Sequence, residues 1–172
     1  MEPLVHFALP LAALLLLGLD LWTAVPLALL GLLPDMDVFL LVHRSFSHSL
    51  VWLGLLFLLI LLIVRRYQPA HQRTVMLAFL VVTSHIILDL GGPTPILWPI
   101  YPYDLSFKFA LNIVLGNGVG LSPGFQVTRT LTDFSAPTGG DYPLFTEEGL
   151  LLTVVLLIPI LYNLARRRGT PT

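Results

Sequence analysis

Cysteine is absent from this 172-residue chain, which removes a thiol nucleophile, a thiolate zinc site and any disulfide framework from consideration. Charge is nearly as scarce: Asp, Glu, Lys and Arg make up 11% of the residues, and the formal net charge is −1. There is no basic stripe and no RNA-binding motif, so nothing points to a nucleic-acid partner. The start, Met1-Glu2-Pro3, lacks the positive segment of a cleaved signal peptide, and the apolar run behind it continues past normal signal length. Internal repeats, heptads and low-complexity tracts are missing too. What is abundant is apolar. With 56% hydrophobic residues and a mean hydropathy of +0.86, the chain reads as an integral membrane protein of one domain.

Apolar runs cover about residues 4–19, 21–33, 49–64, 74–90 and 149–165, each long enough for a membrane helix except the second, which is a short one. Gly18, Asp20, Trp22 and Pro26 divide the first two into a helical hairpin, with Asp20 as a cap and Trp22 as an interfacial anchor. The expected fold is all-α: a polytopic membrane bundle of about five helices. Basic residues flanking membrane helices are retained in the cytoplasm, which places Arg65, Arg66 and Arg73, and likewise Arg166, Arg167 and Arg168, on that side. The stretch from Gly91 to Glu148 then lies outside. Its Trp, Tyr, Phe, Pro and Gly content suits loops or short helices in the interface, with Trp98, Tyr101 and Tyr103 at headgroup depth and the whole segment able to roof a site.

Working back from this topology, the third helix enters from outside at about Phe46. His6, Asp35, Asp37, His43, His48, His85 and Asp89 therefore all fall at one membrane face. His85 and Asp89 in "SHIILDL" are four residues apart and share a helix face; the plain alternative to metal binding is a structural His–Asp hydrogen bond. Asp35 and Asp37 in "PDMD" would point to opposite sides of an extended piece, so they serve one ion only if the backbone turns. Taken alone they read as a solvated helix end. In "HRSFSHS" Ser47 is a natural N-cap for the third helix, leaving His48 in its first turn and His43 on the loop before it. His71, among the cytoplasmic arginines, is a bystander. Arg44 suits bidentate recognition of a phosphate or carboxylate, or pairs with an aspartate.

Four histidines and three carboxylates at one low-dielectric level stay unsatisfied without a cation. Mixed imidazole and carboxylate donors fit Zn²⁺, Mn²⁺ or Fe²⁺ better than Ca²⁺ or Mg²⁺. Seven candidates exceed the three protein ligands of a typical catalytic zinc, so one or two ions are expected.

"LLPDMD", "HRSFSHSL" and "SHIILDLGGPTPILWP", in that order, resemble the YdjM-like, LexA-binding, inner membrane-associated family of membrane-bound metal-dependent hydrolases. The similarity covers roughly residues 1 to 100, and Ser47 stands where a threonine is common. The resemblance implies the same polar site: His6, Asp35, Asp37, His43, His48, His85 and Asp89.

The function expected from this reading is metal-dependent hydrolysis of an ester or phosphoester at the outer face of the cytoplasmic membrane. Asp35 or Asp37 is the base, Arg44 holds the anionic group, and membrane lipid is both environment and substrate. A small ion- or proton-coupled transporter is the alternative from another class. It would need polar groups along a path through the bilayer, whereas the cytoplasmic halves of the helices are nearly pure Leu, Ile, Val and Phe. A non-catalytic, metal-stabilised scaffold is the third reading.

Overall fold

The computed structural model describes residues 3–40, 44–115, 119–135 and 145–168. Helix α1 (Pro3–Leu16) ends where Gly18 adopts a φ of +85°, and α2 (Leu21–Leu29) begins directly afterwards. Asp20 caps α2 through Thr23, whose backbone N–H and hydroxyl both donate to its carboxylate at 3.0 and 2.8 Å. A 3-10 turn (Leu30–Leu32) and a 3-10 helix (Pro34–Leu40) follow. Helices α3 (Leu50–Tyr67) and α4 (Gln72–Asp89) form an antiparallel pair joined by a short 3-10 turn (Pro69–His71). Helix α5 (Glu147–Arg168) returns to pack on α1. Leu11, Leu14, Leu15, Ala24, Leu27, Ala28 and Val81 make the apolar core where α1, α2 and α4 meet.

Two of these features correct the expectation of an all-α bundle of about five membrane helices. Residues within the supposed external loop region form a two-stranded antiparallel hairpin, β1 (Tyr103–Leu115) paired with β2 (Val119–Leu131). Among the described residues, moreover, only α3 and the segment Pro69–Asp89 are long and apolar enough to cross a membrane. Their 18 to 21 residues reach about 27–32 Å at 1.5 Å per residue, matching a hydrocarbon core of about 30 Å. The 14 residues of α1 and the 9 of α2 reach only about 21 and 14 Å by the same measure.

The hairpin has two unlike faces. Its register sets Phe107 opposite Val127, Phe109 opposite Phe125, Leu111 opposite Pro123 and Ile113 opposite Leu121. The intervening pairs, Ser106–Thr128, Lys108–Gln126 and Asn112–Ser122, point the other way. The base of β1 is stitched to the loop after α4: Thr94 and Leu105 exchange backbone hydrogen bonds of 3.0 and 2.9 Å, and Phe107 N–H donates to Leu90 C=O at 2.7 Å. That loop also holds the start of α3, because Leu50 N–H donates to Ile96 C=O at 2.9 Å and the Ser49 hydroxyl donates to Trp98 C=O. The 91–98 segment thereby fixes the ends of both long helices against each other.

Candidate metal centre

Ser49, not Ser47, caps α3, accepting from Trp52 N–H at 3.4 Å. Moving the helix start two residues on places His48 in a 3-10 turn (Phe46–His48) that turns its ring inward, where it is fully buried. His85 comes from the facing side of α4, one turn before Asp89, and both are buried. Pro34 opens a 3-10 helix instead of an extended piece, and three residues per turn separate Asp35 from Asp37 by two-thirds of a turn. The two carboxylates consequently go to different places.

Asp35, His48, His85 and Asp89 each offer one donor atom, all within 4.8 Å of one another, and together they could hold a metal ion. His48 Nε2 lies 3.2 Å from His85 Nε2. Asp35 Oδ1 is 3.8 Å from the first and 3.3 Å from the second, and Asp89 Oδ2 is 3.6 and 3.9 Å away. Four donors arranged tetrahedrally at about 2.0–2.1 Å from one ion lie roughly 3.3–3.4 Å apart. Five of the six edges, at 3.2–3.9 Å, bracket that spacing, and the Asp35–Asp89 edge is within 4.8 Å.

The hydrogen-bond partners on the far sides of the rings decide what the near sides present. His85 Nδ1 donates to the Gly31 C=O at 2.6 Å. A carbonyl only accepts, so Nδ1 carries the proton and Nε2 of the neutral ring keeps a lone pair. His48 Nδ1 faces the Ser47 hydroxyl at 3.1 Å and Asp37 Oδ2 at 3.3 Å. The carboxylate fixes the same tautomer there. Two ring lone pairs and two carboxylate oxygens thus aim at one buried point, an arrangement that is repulsive until a cation enters. The outer partners, a carboxylate and a backbone carbonyl, are those that orient metal-ligating imidazoles.

Asp37 lies behind His48, away from the convergence point. Its Oδ2 accepts from Ser45 N–H and the Ser47 hydroxyl, both at 2.7 Å. Burial alone would lower the His48 pKa, but the neighbouring carboxylates of Asp37 and Asp89 outweigh this and raise it. Burial likewise pushes Asp35 up, and the adjacent His85 ring more than offsets it, so the carboxyl sits below its ordinary value. Its side chain remains 20% exposed, the most open of the four.

His6 stacks on His85 with ring centroids 3.8 Å apart and brings Nε2 to 3.2 Å from Asp89 Oδ1. Neither of its ring nitrogens makes a hydrogen bond of proper direction, although the ring is fully buried. It therefore stands beside the four-donor group, against the oxygen of Asp89 that faces away from it. Arg44 takes the aspartate pairing: Nε donates to Asp89 Oδ2 and Nη1 to Pro93 C=O, both at 3.2 Å. His43 lies outside the described residues. His71 sits at the opposite end of α4 from His85 and Asp89.

Gly31 is the position that the motifs did not flag. A Cβ there would meet the His6 backbone oxygen at 2.6 Å, so only glycine lets the 30–32 turn press against α1 and offer its carbonyl to His85. A glycine inside an apolar run is the signal that marks such a close approach.

A sequence model of the YdjM inner membrane protein family matches residues 1–167. No curated protein and no solved structure matches the chain. The chain belongs to the YdjM family.

Proposed function

We propose that this member of the YdjM inner membrane protein family is a metal-dependent hydrolase acting on an ester or phosphoester of a lipid-like substrate at the outer face of the membrane. One observation carries the reading: the Nε2 atoms of His48 and His85 converge with carboxylate oxygens of Asp35 and Asp89, while both Nδ1 atoms face partners behind. Two imidazoles and two carboxylates suit Zn²⁺, with Mn²⁺ or Fe²⁺ as the other candidates. Such an ion, when bound, supplies Lewis acidity and an activated water near neutral pH.

The chain's own residues divide the remaining work. Asp35, the most exposed of the four donors, is the one able to stand back and accept a proton from an incoming nucleophile, leaving His48, His85 and Asp89 as the three protein ligands of an open site. Asp37 directs Oδ2 to Ser45, Ser47 and the back of His48, which makes it a positioning residue. Arg44 uses Nε and Nη1 on Asp89 and Pro93, leaving Nη2 of a 20% exposed side chain for an anionic group of the substrate.

The test is elemental analysis of the purified protein followed by a headgroup-hydrolysis screen on phospholipid vesicles with and without chelator. Metal-dependent release of a headgroup supports the reading; stoichiometric metal with no turnover on any lipid class makes the centre a structural scaffold. Sidedness is tested separately. Because the chain has no cysteine, Phe46→Cys and His71→Cys are single reporters, expected to label from opposite sides of intact cells.

A further inference from the structure

A cavity of about 750 Å³ runs between α3 and α4. Its upper end is formed by Pro34, Phe46 and Ser47, and its walls by Leu56 and Ile60 of α3 and Val75 and Phe79 of α4. The mouth lies against the outer support of the candidate metal centre, on the Nδ1 side of His48, and none of the four donors lines it. Pro34 precedes Asp35, and the Ser47 hydroxyl donates to Asp37 and contacts His48 Nδ1. Apart from Ser47, every wall residue named is apolar.

The cavity is a groove and not a closed pocket. Leu55, Leu56 and Leu59 along its rim are more than half exposed, so it opens sideways in the part of α3 that sits in hydrocarbon. From the Ser49 cap to Ile60 the helix rises about 16 Å, half the thickness of a hydrocarbon core and hence the depth of one leaflet. Polar chemistry at one end, apolar walls below it, a lateral opening and a one-leaflet length describe the shape of one lipid chain hanging from its headgroup.

We propose that this groove binds one hydrocarbon chain of the lipid whose polar group is processed at the metal centre, and that its depth selects chain length. The inference rests on the lipid-ester reading above. Leu56 sits partway down the groove and Ile60 near its floor. A bulky side chain at Leu56 shortens the usable slot more than one at Ile60.

The probe is a phosphatidic acid with a diazirine at the end of one acyl chain, doped into phosphatidylcholine nanodiscs that hold the full-length protein. Photolabelling of the wild type is expected on groove residues of α3 and α4. Leu56→Trp excludes several methylenes, each of which is worth about fourfold in affinity, so labelling by a long-chain probe falls by about tenfold or more. Ile60→Trp leaves labelling by a short-chain probe intact and reduces only the long-chain signal. Leu58→Trp, equally bulky on an exposed part of α3 outside the groove, changes neither. Labels spread evenly around α3, or unchanged labelling in Leu56→Trp, would mean that annular lipid alone is seen and would overturn the proposal. The readout needs no turnover. Groove labelling without any hydrolysis sinks the hydrolase reading and leaves the chain site standing, whereas hydrolysis whose chain-length profile is unaltered in Leu56→Trp sinks the chain site alone.

Discussion

The candidate metal centre and the β-hairpin break the usual placement of side chains in opposite senses. At the centre, His6, His48, His85 and Asp89 are all 1% exposed or less; along the hairpin Phe109, Ile113, Leu121 and Phe125 are each more than two-thirds exposed. Apart from His6, which stacks on His85, the buried polar set is held by directional partners, so each member constrains the next. The hairpin is held by its backbone ladder, and its exposed side chains constrain little within the chain. Position-by-position sensitivity should follow that division, with the centre brittle and the distal hairpin permissive.

The sharpest break between the two regions comes from the candidate ligands. His48→Ala or His85→Ala removes a donor and leaves a buried partner unpaired, at about 1–3 kcal/mol for the orphaned group. Bound metal measured by mass spectrometry is expected to drop to background, and a full complement in both variants would end the ligand assignment. Next is Gly31→Ala. The new methyl collides with the His6 backbone and displaces the carbonyl that orients His85, for a cost of about 1–3 kcal/mol seen as a lower melting temperature together with weakened metal binding. Asp37→Asn keeps the shape but loses the charge behind His48. A fall in metal affinity of about 10–100-fold, without loss of fold by circular dichroism, distinguishes a positioning role from a ligand.

On the other side of the comparison, Phe109→Ser with Phe125→Ser removes one cross-strand pair, worth about 1 kcal/mol at most, and leaves metal content unchanged. A loss of metal in that variant would show the two regions to be coupled. The smallest effect is at Asp20, whose hydrogen bonds from Thr23 hold its carboxyl below the ordinary value. A depressed native pKa stabilises the fold above the unfolded value of 3.8, and that contribution is lost as pH falls through the native one. The melting temperature of Asp20→Ala should therefore differ slightly from wild type at neutral pH and converge with it in strong acid.

How much of this could be read beforehand follows the same line. Ionisable residues in an apolar chain are costly wherever they sit, so "PDMD", "SFSHS" and "SHIILD" pointed to one end of the molecule before any coordinates. Which aspartate faces inward was not readable, because it depends on Pro34 starting a 3-10 helix. Composition does not decide where α3 starts, because Ser45, Ser47 and Ser49 are equally good caps; in the fold Ser47 donates to Asp37 and Ser49 caps the helix. The hairpin left a signal in plain view. Tyr103, Leu105, Phe107, Phe109, Leu111 and Ile113 alternate with Asp104, Ser106, Lys108 and Asn112, with Gly116-Asn117-Gly118 after them, a strand-and-turn pattern. The aromatic and proline content around Trp98 to Tyr103, typical of interfacial loops, masks that pattern. Two apolar runs also looked like spans until their helices proved too short, since Gly18 and the turns after Leu29 cut them.

Arg44 has a backbone φ of +60°, a left-handed conformation that costs a non-glycine residue about 1–2 kcal/mol. Its guanidinium lies where any side chain on Gly92 would have to go. The two residues work as a bolt and its slot. A designer wishing to free the oxygen of Asp89 that Arg44 covers has a handle outside the centre, because a single methyl at residue 92 would push the bolt out while every donor to the ion kept its identity.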